Sequence, residues 1–289
     1  MWEKLVNLSV KFFGNSLDPY VPFFETIRPD LAKSGLNLSL KEYVYGMFFI
    51  VLLVFIAALP FFSIVSSVFL GPVLSFLFSL TISFLLSLLV FFIFYSYPSF
   101  IVASKKKSID AALPFATTYM ATISSSGTPP HLIFKILSQF EEYGEISNEA
   151  KRIWRDIELF GVDLLDAMRR AASRTPSELF KELLWGMTTV ISSGSDLSVY
   201  LREKANGFME ERRRKLQEYS KTLSLMIEIY LTLIIVGSIF FIIMASIMSS
   251  FSMGKPDPFL PFIQFVVIYF VLPLVSVGFV YMFKVISPR

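Results

Sequence analysis

Long apolar stretches without charge alternate along this chain with one long segment rich in charged side chains. No charged residue occurs between Glu42 and Lys105, a gap of 62 residues. A helix needs about 20 residues to cross the hydrocarbon core of a bilayer, so the gap predicts two spans and a turn. We place these spans near residues 44–65 and 73–97. Small residues and a proline mark two candidate positions for the turn, 66–67 and 71–72.

Two further charge-free runs lie near the end of the chain. They cover residues 229–254 and 258–283, and Lys255 and Asp257 separate them. Each run is long enough for one span. The pattern therefore predicts a polytopic all-α membrane protein with four transmembrane helices in two hairpins.

The segment between the hairpins has a different character. Residues 98–228 hold 18 of the 26 basic and 17 of the 23 acidic residues. Apolar positions there recur every three or four residues, which predicts amphipathic helices rather than strands. Glycine, proline and capping residues divide the segment into six predicted helices. These helices cover 109–125, 130–143, 147–161, 163–173, 175–192 and 196 onward, with Ser147, Asp163, the pair Thr175–Pro176, and Asp196 at the starts.

Short connections between these helices predict an antiparallel bundle with turns at two ends. Because the first helix leaves the membrane, alternate turns share the membrane-distal end, and these contain Gly127, Gly161 and Gly194. The connections at Gly144 and residues 175–176 then face the membrane. The sixth helix has no breaker between Asp196 and the third span at Ile229. We therefore expect one continuous helix that carries the domain into the membrane.

Basic residues near the span ends predict the orientation. They cluster on one side of the predicted spans, and Lys255 stands alone on the other. By the positive-inside rule, both termini and residues 98–228 are cytoplasmic, and the protein lies in the cell membrane. The predicted organisation is a cytoplasmic or interfacial segment (1–42), hairpin 1 (43–97), a cytoplasmic helical domain (98–228) and hairpin 2 with a short tail (229–289). Trp2, Leu5, Val6, Phe12 and Phe13 are typical either of a short interfacial helix or of a poorly ordered tail.

Composition narrows the function classes. Only 17% of residues are charged, against about 25% in soluble domains, and mean hydropathy is +0.63. The net charge of +3 argues against a nucleic-acid partner bound through bulk charge. The chain has no cysteine, which excludes thiolate metal sites and thiol redox chemistry.

Catalytic chemistry finds no support in the sequence. There is no phosphate-binding loop of the G-x-x-x-x-G-K-[ST] form, so the chain is not expected to hydrolyse ATP. The single histidine, His131, cannot assemble a metal site alone. We therefore expect no enzyme activity, no metal and no cofactor.

Three groups of residues are candidate contact sites. Lys105, Lys106 and Lys107 follow the second span and are interpreted as an anchor at lipid headgroups. The basic run Arg212, Arg213, Arg214 and Lys215 is either a solvated face that pairs with neighbouring glutamates or a docking patch for a partner. Gly127, Gly161, Asp163 and Gly194 are either turn and capping residues or part of a distal contact surface.

Several short stretches, in this order and topology, resemble the type II secretion system F domain. They are 111–114, 123–127, 161–167, 172–176, 192–194, 197–201, the charged run 210–215 before a span, and 31–36 before the first span. The resemblance implies a helical platform protein of a type II secretion, type IV pilus, tight-adherence or archaellum machine.

The resemblance also implies two kinds of partner. These are a hexameric secretion ATPase in the cytoplasm and pilin-like subunits in the membrane. Only one F domain is recognised here, which implies a homodimer or a heterodimer with another F-domain chain. The alternative is a small-solute transporter or the membrane subunit of an ABC-type carrier, for which Pro60 and Pro273 would supply the broken helices.

Overall fold

The computed structural model describes residues 17–36, 38–68, 71–251 and 259–286, and in these ranges the chain is helical with no strand. The α-helices are α1 (Arg28–Ser34), α2 (Leu40–Ser67), α3 (Pro72–Ser125), α4 (Pro130–Leu137), α5 (Glu145–Glu158), α6 (Leu164–Arg174), α7 (Glu178–Ser192), α8 (Leu197–Tyr230), α9 (Gly237–Phe251), α10 (Phe259–Val266) and α11 (Leu272–Ile286). Two 3₁₀ helices (Asp18–Ile27, Glu141–Tyr143) and two π segments (Leu231–Val236, Val267–Val271) complete the described structure.

These elements form two compact units divided between Asn206 and Gly207. Four helices are long and apolar enough to cross a membrane, as the charge-free runs predict. Two of them, α2 and α3, belong to the first unit and form hairpin 1. The other two are Leu197–Met248, which begins in the first unit and continues through the second, and Val267–Lys284, which belongs to the second; each includes a π segment.

Hairpin 1 is closed by small side chains. Ser75, Ser79, Ser83 and Ser87 recur every fourth residue of α3 and are all buried. Ser87 Oγ donates a hydrogen bond to the carbonyl of Val51 in α2 at 3.2 Å. Small residues at this spacing let two helix backbones approach closely in lipid, where association depends on packing and interhelical hydrogen bonds.

The helical domain has a continuous apolar core. Its buried side chains recur at three- and four-residue spacing on every helix, which is the pattern of one inward face per helix. These side chains include Ile109, Leu113, Ala116 and Met120 of α3, Ile133, Phe134 and Leu137 of α4, Ile146, Ala150 and Ile153 of α5, Ala167, Met168 and Ala171 of α6, Phe180, Leu183, Leu184 and Met187 of α7, and Leu197, Leu201 and Ala205 of α8.

Each of the first three predicted helices has a wrong boundary. The helix predicted from residue 109 is the end of α3, which begins at Pro72 and continues past Pro98 and Pro114. The second helix ends at Leu137 instead of at residue 143, and a 3₁₀ turn follows it. The third begins at Glu145, and Ser147 does not cap it, because its hydroxyl is turned inward and donates to the carbonyls of Leu137 and Phe140.

The start of the fifth helix also needs correction. Its N-cap is Ser177, whose Oγ accepts a hydrogen bond from the backbone N–H of Phe180 at 3.1 Å. The pair Thr175–Pro176 therefore lies before the helix and does not open it. In contrast, Asp163 and Asp196 lie immediately before α6 and α8, and their carboxylates accept backbone N–H bonds from Leu165 and Ser198, as predicted.

The sixth helix agrees with its prediction in outline. Residues 197–251 are helical throughout, with no break near Tyr219 and with the π segment Leu231–Val236 at the start of the predicted third span. The interfacial helix considered for Trp2 to Phe13, and the separators Lys255 and Asp257, lie outside the described residues.

Candidate functional site

The most heavily bonded polar region joins hairpin 1 to the helical domain. It begins inside α3 at Pro98, which has no N–H to donate to the carbonyl of Phe94 one turn earlier. The Tyr43 hydroxyl of α2 donates to this carbonyl at 2.7 Å. Because the freed carbonyl is satisfied from the neighbouring helix, α3 passes the proline and leaves the predicted membrane as a single helix.

A segment before hairpin 1 braces this part of α3. We call residues 18–35 the strap. At its start, Asp18 Oδ1 accepts hydrogen bonds from Lys41 Nζ at 2.8 Å and Tyr45 Oη at 2.7 Å. The Lys41 bond, followed by the Tyr45 bond, lowers the pKa of the Asp18 carboxyl. Further along, Asp30 Oδ2 accepts from Ser99 Oγ at 2.5 Å, so the strap is bonded to both helices of hairpin 1.

Aromatic packing reinforces the strap between these hydrogen bonds. The Phe24 ring packs edge-on against Phe48 of α2, with centroids 5.9 Å apart, and against Phe91 and Tyr95 of α3 at 6.3 Å each. Leu31 of the strap is buried. Aromatic pairs at such distances stabilise by about 0.5–1.5 kcal/mol beyond their burial. The strap is therefore held by packing as well as by polar contacts.

The last residue of the strap lies beside two cations of the helical domain. Gly35 has a φ of +77°, a left-handed conformation that closes α1 and favours glycine. A Cβ at this position would lie 2.8 Å from Lys105 Nζ of α3 and 3.4 Å from Arg152 Nη2 of α5. Cations at a helix C-terminus interact favourably with the helix dipole. Lys105 Nζ also lies 3.9 Å from a carboxylate oxygen of Glu145, so this lysine bridges the strap and α5.

Glu149 is the centre of the charged cluster. Its side chain is only 6% exposed, and its two oxygens accept from Arg152 Nη1 and Arg174 Nε, each at 3.0 Å. Arg174 also lies 3.5 Å from Asp156. A buried carboxylate is costly unless it is paired, and here two guanidinium groups compensate it. We call Lys105, Glu145, Glu149, Arg152, Asp156 and Arg174 the junction; it links α3, α5 and α6.

A second polar contact lies at the same end of the domain. The buried Ser177 hydroxyl, between α6 and α7, donates a hydrogen bond to Asp110 of α3. A Cβ on Gly144, just before α5, would lie 3.2 Å from Ser108 Oγ. Both connections therefore lie beside the part of α3 that follows the second span. This is the position that the antiparallel prediction assigns to them.

The predicted distal turns have the geometry of helix caps. Gly127, Gly161 and Gly194 have φ values of +76°, +62° and +67°. Next to Gly161, the N–H of Val162 donates to the carbonyl of Asp156. Next to Gly194, the N–H of Ser195 donates to the carbonyl of Val190. These bonds are characteristic of helix ends closed by a left-handed glycine. Apart from the adjoining residues, no heavy atom of the described chain lies within 4 Å of a Cβ built on any of the three glycines, so a contact role for these turns stays a prediction.

The two predicted basic groups differ in their surroundings. Lys105 is part of the junction, whereas Lys106 and Lys107 are exposed and remain available for the predicted lipid contact. On α8, Arg214 and Lys215 both pair with Glu211 on the same helix, and Arg213 is exposed. This pairing favours a solvated helix face over a docking patch at residues 212–215.

Sequence reasoning missed Glu149 as the centre of the junction. A usable signal was present: Glu149 lies on the same helical face as Ile146, Ala150 and Ile153, which are fully buried. A charged residue on an apolar face indicates a buried partner of opposite charge. The tie between Asp110 and Ser177 joins residues that are 67 positions apart, and no local pattern indicates it.

Comparison with known proteins identifies the family of part of this chain. The family model described as type II secretion system (T2SS), protein F, matches residues 116–245, from within α3 to within α9. This stretch is a type II secretion system F domain. The resemblance seen in the sequence is thereby confirmed, together with the all-α polytopic fold, and the chain is a multi-pass protein of the cytoplasmic membrane.

Curated proteins are similar to part of this chain. An uncharacterized protein of Methanocaldococcus jannaschii is 31% identical over 46% of this chain and 22% of its own length. Proteins named flagella accessory protein J, from Methanocaldococcus jannaschii and Methanococcus voltae, are 29% and 28% identical over 40% of this chain and 21% of theirs. The matched part thus spans only about a fifth of these relatives. No solved structure matches the chain.

Proposed function

We propose that this chain is the membrane platform of a type II secretion, pilus or archaellum machine. The F domain, the four apolar helices and the relatives named flagella accessory protein J support this assignment. In the proposed mechanism a hexameric secretion ATPase moves the cytoplasmic helical domain. The hairpins pass this motion to pilin-like subunits in the membrane.

The continuity of α3 is the observation that carries the mechanism. Its 54 residues from Pro72 to Ser125 join a membrane span to the core of the helical domain, over roughly 80 Å at 1.5 Å per residue. The strap and the junction brace α3 on either side of its exit from hairpin 1. A displacement of the domain would therefore reach hairpin 1 through backbone and not through a flexible linker.

The chain is proposed to act with partners and without chemistry of its own. Among the described residues, no group of three or more His, Asp or Glu side chains could hold a metal ion. Energy would come from the ATPase, since the sequence has no phosphate-binding loop. A homodimer or a heterodimer with another F-domain chain, with both termini cytoplasmic, completes the proposal.

An insertion in α3 tests this mechanism. Three residues, Gly-Ser-Gly, inserted after Val102 would interrupt the helix between its contacts at Ser99 and Lys105. The control carries the same insertion after Gln139, in the exposed turn beyond α4. We expect the first variant to reach the membrane and to retain the ATPase in pull-downs but to assemble no filament. The control should assemble filaments, and normal filaments from both variants would contradict the proposed route.

A further inference from the structure

Two large apolar side chains project into water at the end of α5. Leu159 is 71% exposed and Phe160 is 68% exposed, and both immediately precede the left-handed turn at Gly161. The Schellman-type bonds at this turn hold the backbone, so the side chains are presented on a fixed end of the helix. Exposed aromatic and aliphatic side chains of this size supply binding energy when a partner covers them.

Two exposed cations of α5 precede this apolar end of the helix. Lys151 and Arg155 lie one helical turn apart, and Leu159 lies one turn further on the same exposed face. Neither cation forms an ion pair with any residue in the described ranges. Glu158 is an exposed acidic residue of the same helix, while Asp156 is bonded to Arg174.

The neighbouring helix α4 extends the same surface. Lys135 Nζ lies 5.0 Å from the ring centroid of Trp154 on α5, a cation–π contact. The ring of His131 stacks on Trp154 with centroids 6.5 Å apart and planes 13° apart. We call the surface formed by Lys135, Lys151, Trp154, Arg155, Leu159 and Phe160 the α4–α5 face.

The α4–α5 face differs from the basic run on α8. Arg214 and Lys215 share Glu211, so two of those cations are already compensated on their own helix. Lys151 and Arg155 have no such compensation, and they lead to apolar groups that a partner could desolvate. Complementary charge sets the rate and specificity of association, and buried apolar anchors supply most of its free energy. Both contributions are present on the α4–α5 face.

The position of this face argues for a protein partner over the lipid surface. Glu145, at the start of α5, lies beside Lys105 just beyond hairpin 1. Leu159 is 14 residues further along α5, or roughly 21 Å at 1.5 Å per residue. This separation exceeds the Debye length of about 8 Å at physiological ionic strength, so headgroup charge would be strongly screened there.

We propose that the α4–α5 face is the docking surface for an acidic patch on the secretion ATPase. This inference rests on the proposed platform function and identifies the contact surface within it. Lys135, Lys151 and Arg155 would meet carboxylates of the partner, and Leu159 and Phe160 would insert into an apolar recess beside them. The turn at Gly161 and the cap Asp163 then border the contact.

Binding measurements with the full chain in nanodiscs test the proposal. The probe is the hexameric secretion ATPase produced from the same genome. One variant combines Lys151→Glu and Arg155→Glu, and a second combines Leu159→Ser and Phe160→Ser. All four side chains are exposed, so the fold should be retained. The matched control, Arg213→Glu with Arg214→Glu, reverses two charges on α8.

We expect each α5 variant to bind the ATPase about tenfold more weakly or worse, and the α8 control to bind within about twofold of the unaltered chain. Added salt should weaken the unaltered complex and have little effect on the charge-reversed one. Unchanged binding by both α5 variants, or loss confined to the α8 control, would overturn the proposed surface while leaving the platform function intact. If the unaltered chain does not bind, both the surface and the ATPase coupling are wrong. Displacement of the ATPase by phosphatidylglycerol vesicles would assign the face to lipid instead.

Discussion

The two hairpins are similar in length and apolar character, yet they pack very differently. In hairpin 1 a buried serine row closes the helix pair, Tyr43 satisfies the carbonyl freed by Pro98, and the strap covers one end. From Gly207 onward, the buried residues in the described part of the chain are Ile234 and Ala245. The helices of hairpin 2 also contain the two π segments, Leu231–Val236 and Val267–Val271.

This difference indicates different tasks for the hairpins. Hairpin 1 has a buried serine row and a hydrogen bond from each helix to a carbonyl of the other, so the packing of its two helices is defined within the chain. In the described part of hairpin 2 most large apolar side chains are exposed, and π segments are frequent at functional sites in helices. We expect hairpin 1 to be the rigid member and hairpin 2 to take its final packing from partner chains.

Overpacking the serine row should produce the largest effect. Ser79→Leu with Ser83→Leu would force α2 and α3 apart, because both side chains are fully buried. We expect the free energy of unfolding to fall by about 3 kcal/mol or more. Unfolding by sodium dodecyl sulfate, monitored by circular dichroism, measures this change.

Two controls show whether the effect belongs to hairpin 1. Ser246→Leu changes an exposed serine of α9 and should leave stability within about 0.5 kcal/mol. Ser83→Ala keeps the residue small and removes a buried hydroxyl that has no hydrogen-bond partner among the described residues, so it should be neutral or stabilising. If Ser246→Leu lowered the free energy of unfolding as much as the double leucine variant of hairpin 1, the two hairpins would not differ in packing.

Removal of the central carboxylate should give the next largest effect. Glu149→Ala leaves Arg152 and Arg174 without their main acceptor beside the core. A broken buried pair costs about 3–5 kcal/mol, but both arginines are partly exposed, so we expect about 2 kcal/mol. The control Glu211→Ala removes the exposed partner of Arg214 and Lys215 and should cost about 0.5 kcal/mol or less. Chemical denaturation measures the free energy of unfolding of both variants. A similar decrease in the two would show that the junction stabilises the fold no more than an exposed ion pair does.

Much of the fold could be predicted because lipid and backbone geometry limit the possibilities. Charge-free length is a direct physical requirement for a span, and left-handed glycines such as Gly161 and Gly194 close helices wherever they occur. The boundary at residue 109 was wrong because Pro98 is tolerated inside α3. That tolerance depends on Tyr43, a residue 51 positions away from the carbonyl that it satisfies.

The candidate site was harder to predict than the fold. The basic run at 212–215 is conspicuous in the sequence, yet its nearest acids lie on the same helix. The junction and the α4–α5 face depend on which helices become neighbours, and helical periodicity does not determine this. Glu149 could have been identified from its apolar face, but its partner Arg174, 25 positions away, could not.

Loss of the Tyr43 hydroxyl should produce a moderate effect limited to hairpin 1. Tyr43→Phe removes the hydrogen bond that the hydroxyl donates to the Phe94 carbonyl beside Pro98, which we expect to cost about 1–2 kcal/mol in unfolding free energy. The matched change in hairpin 2, Tyr281→Phe, alters a side chain that is 70% exposed and should be neutral. In a double-mutant cycle, Pro98→Ala restores the backbone donor and should reduce the cost of Tyr43→Phe. Additive costs in that cycle would contradict the role assigned to the hydroxyl.

Acidification should release the start of the strap, which is the smallest effect expected. The hydrogen bonds from Lys41 and Tyr45 lower the pKa of the Asp18 carboxyl in the folded chain below its ordinary value of 3.8. A lowered pKa means that this contribution to stability is complete above the unfolded value and is lost as the pH falls through the folded value. Amide hydrogen exchange of residues 18–27 should therefore quicken below about pH 4. Asp18→Asn should show faster exchange at neutral pH and remove this step. A step of equal size in Asp18→Asn would assign the acid sensitivity to another carboxyl.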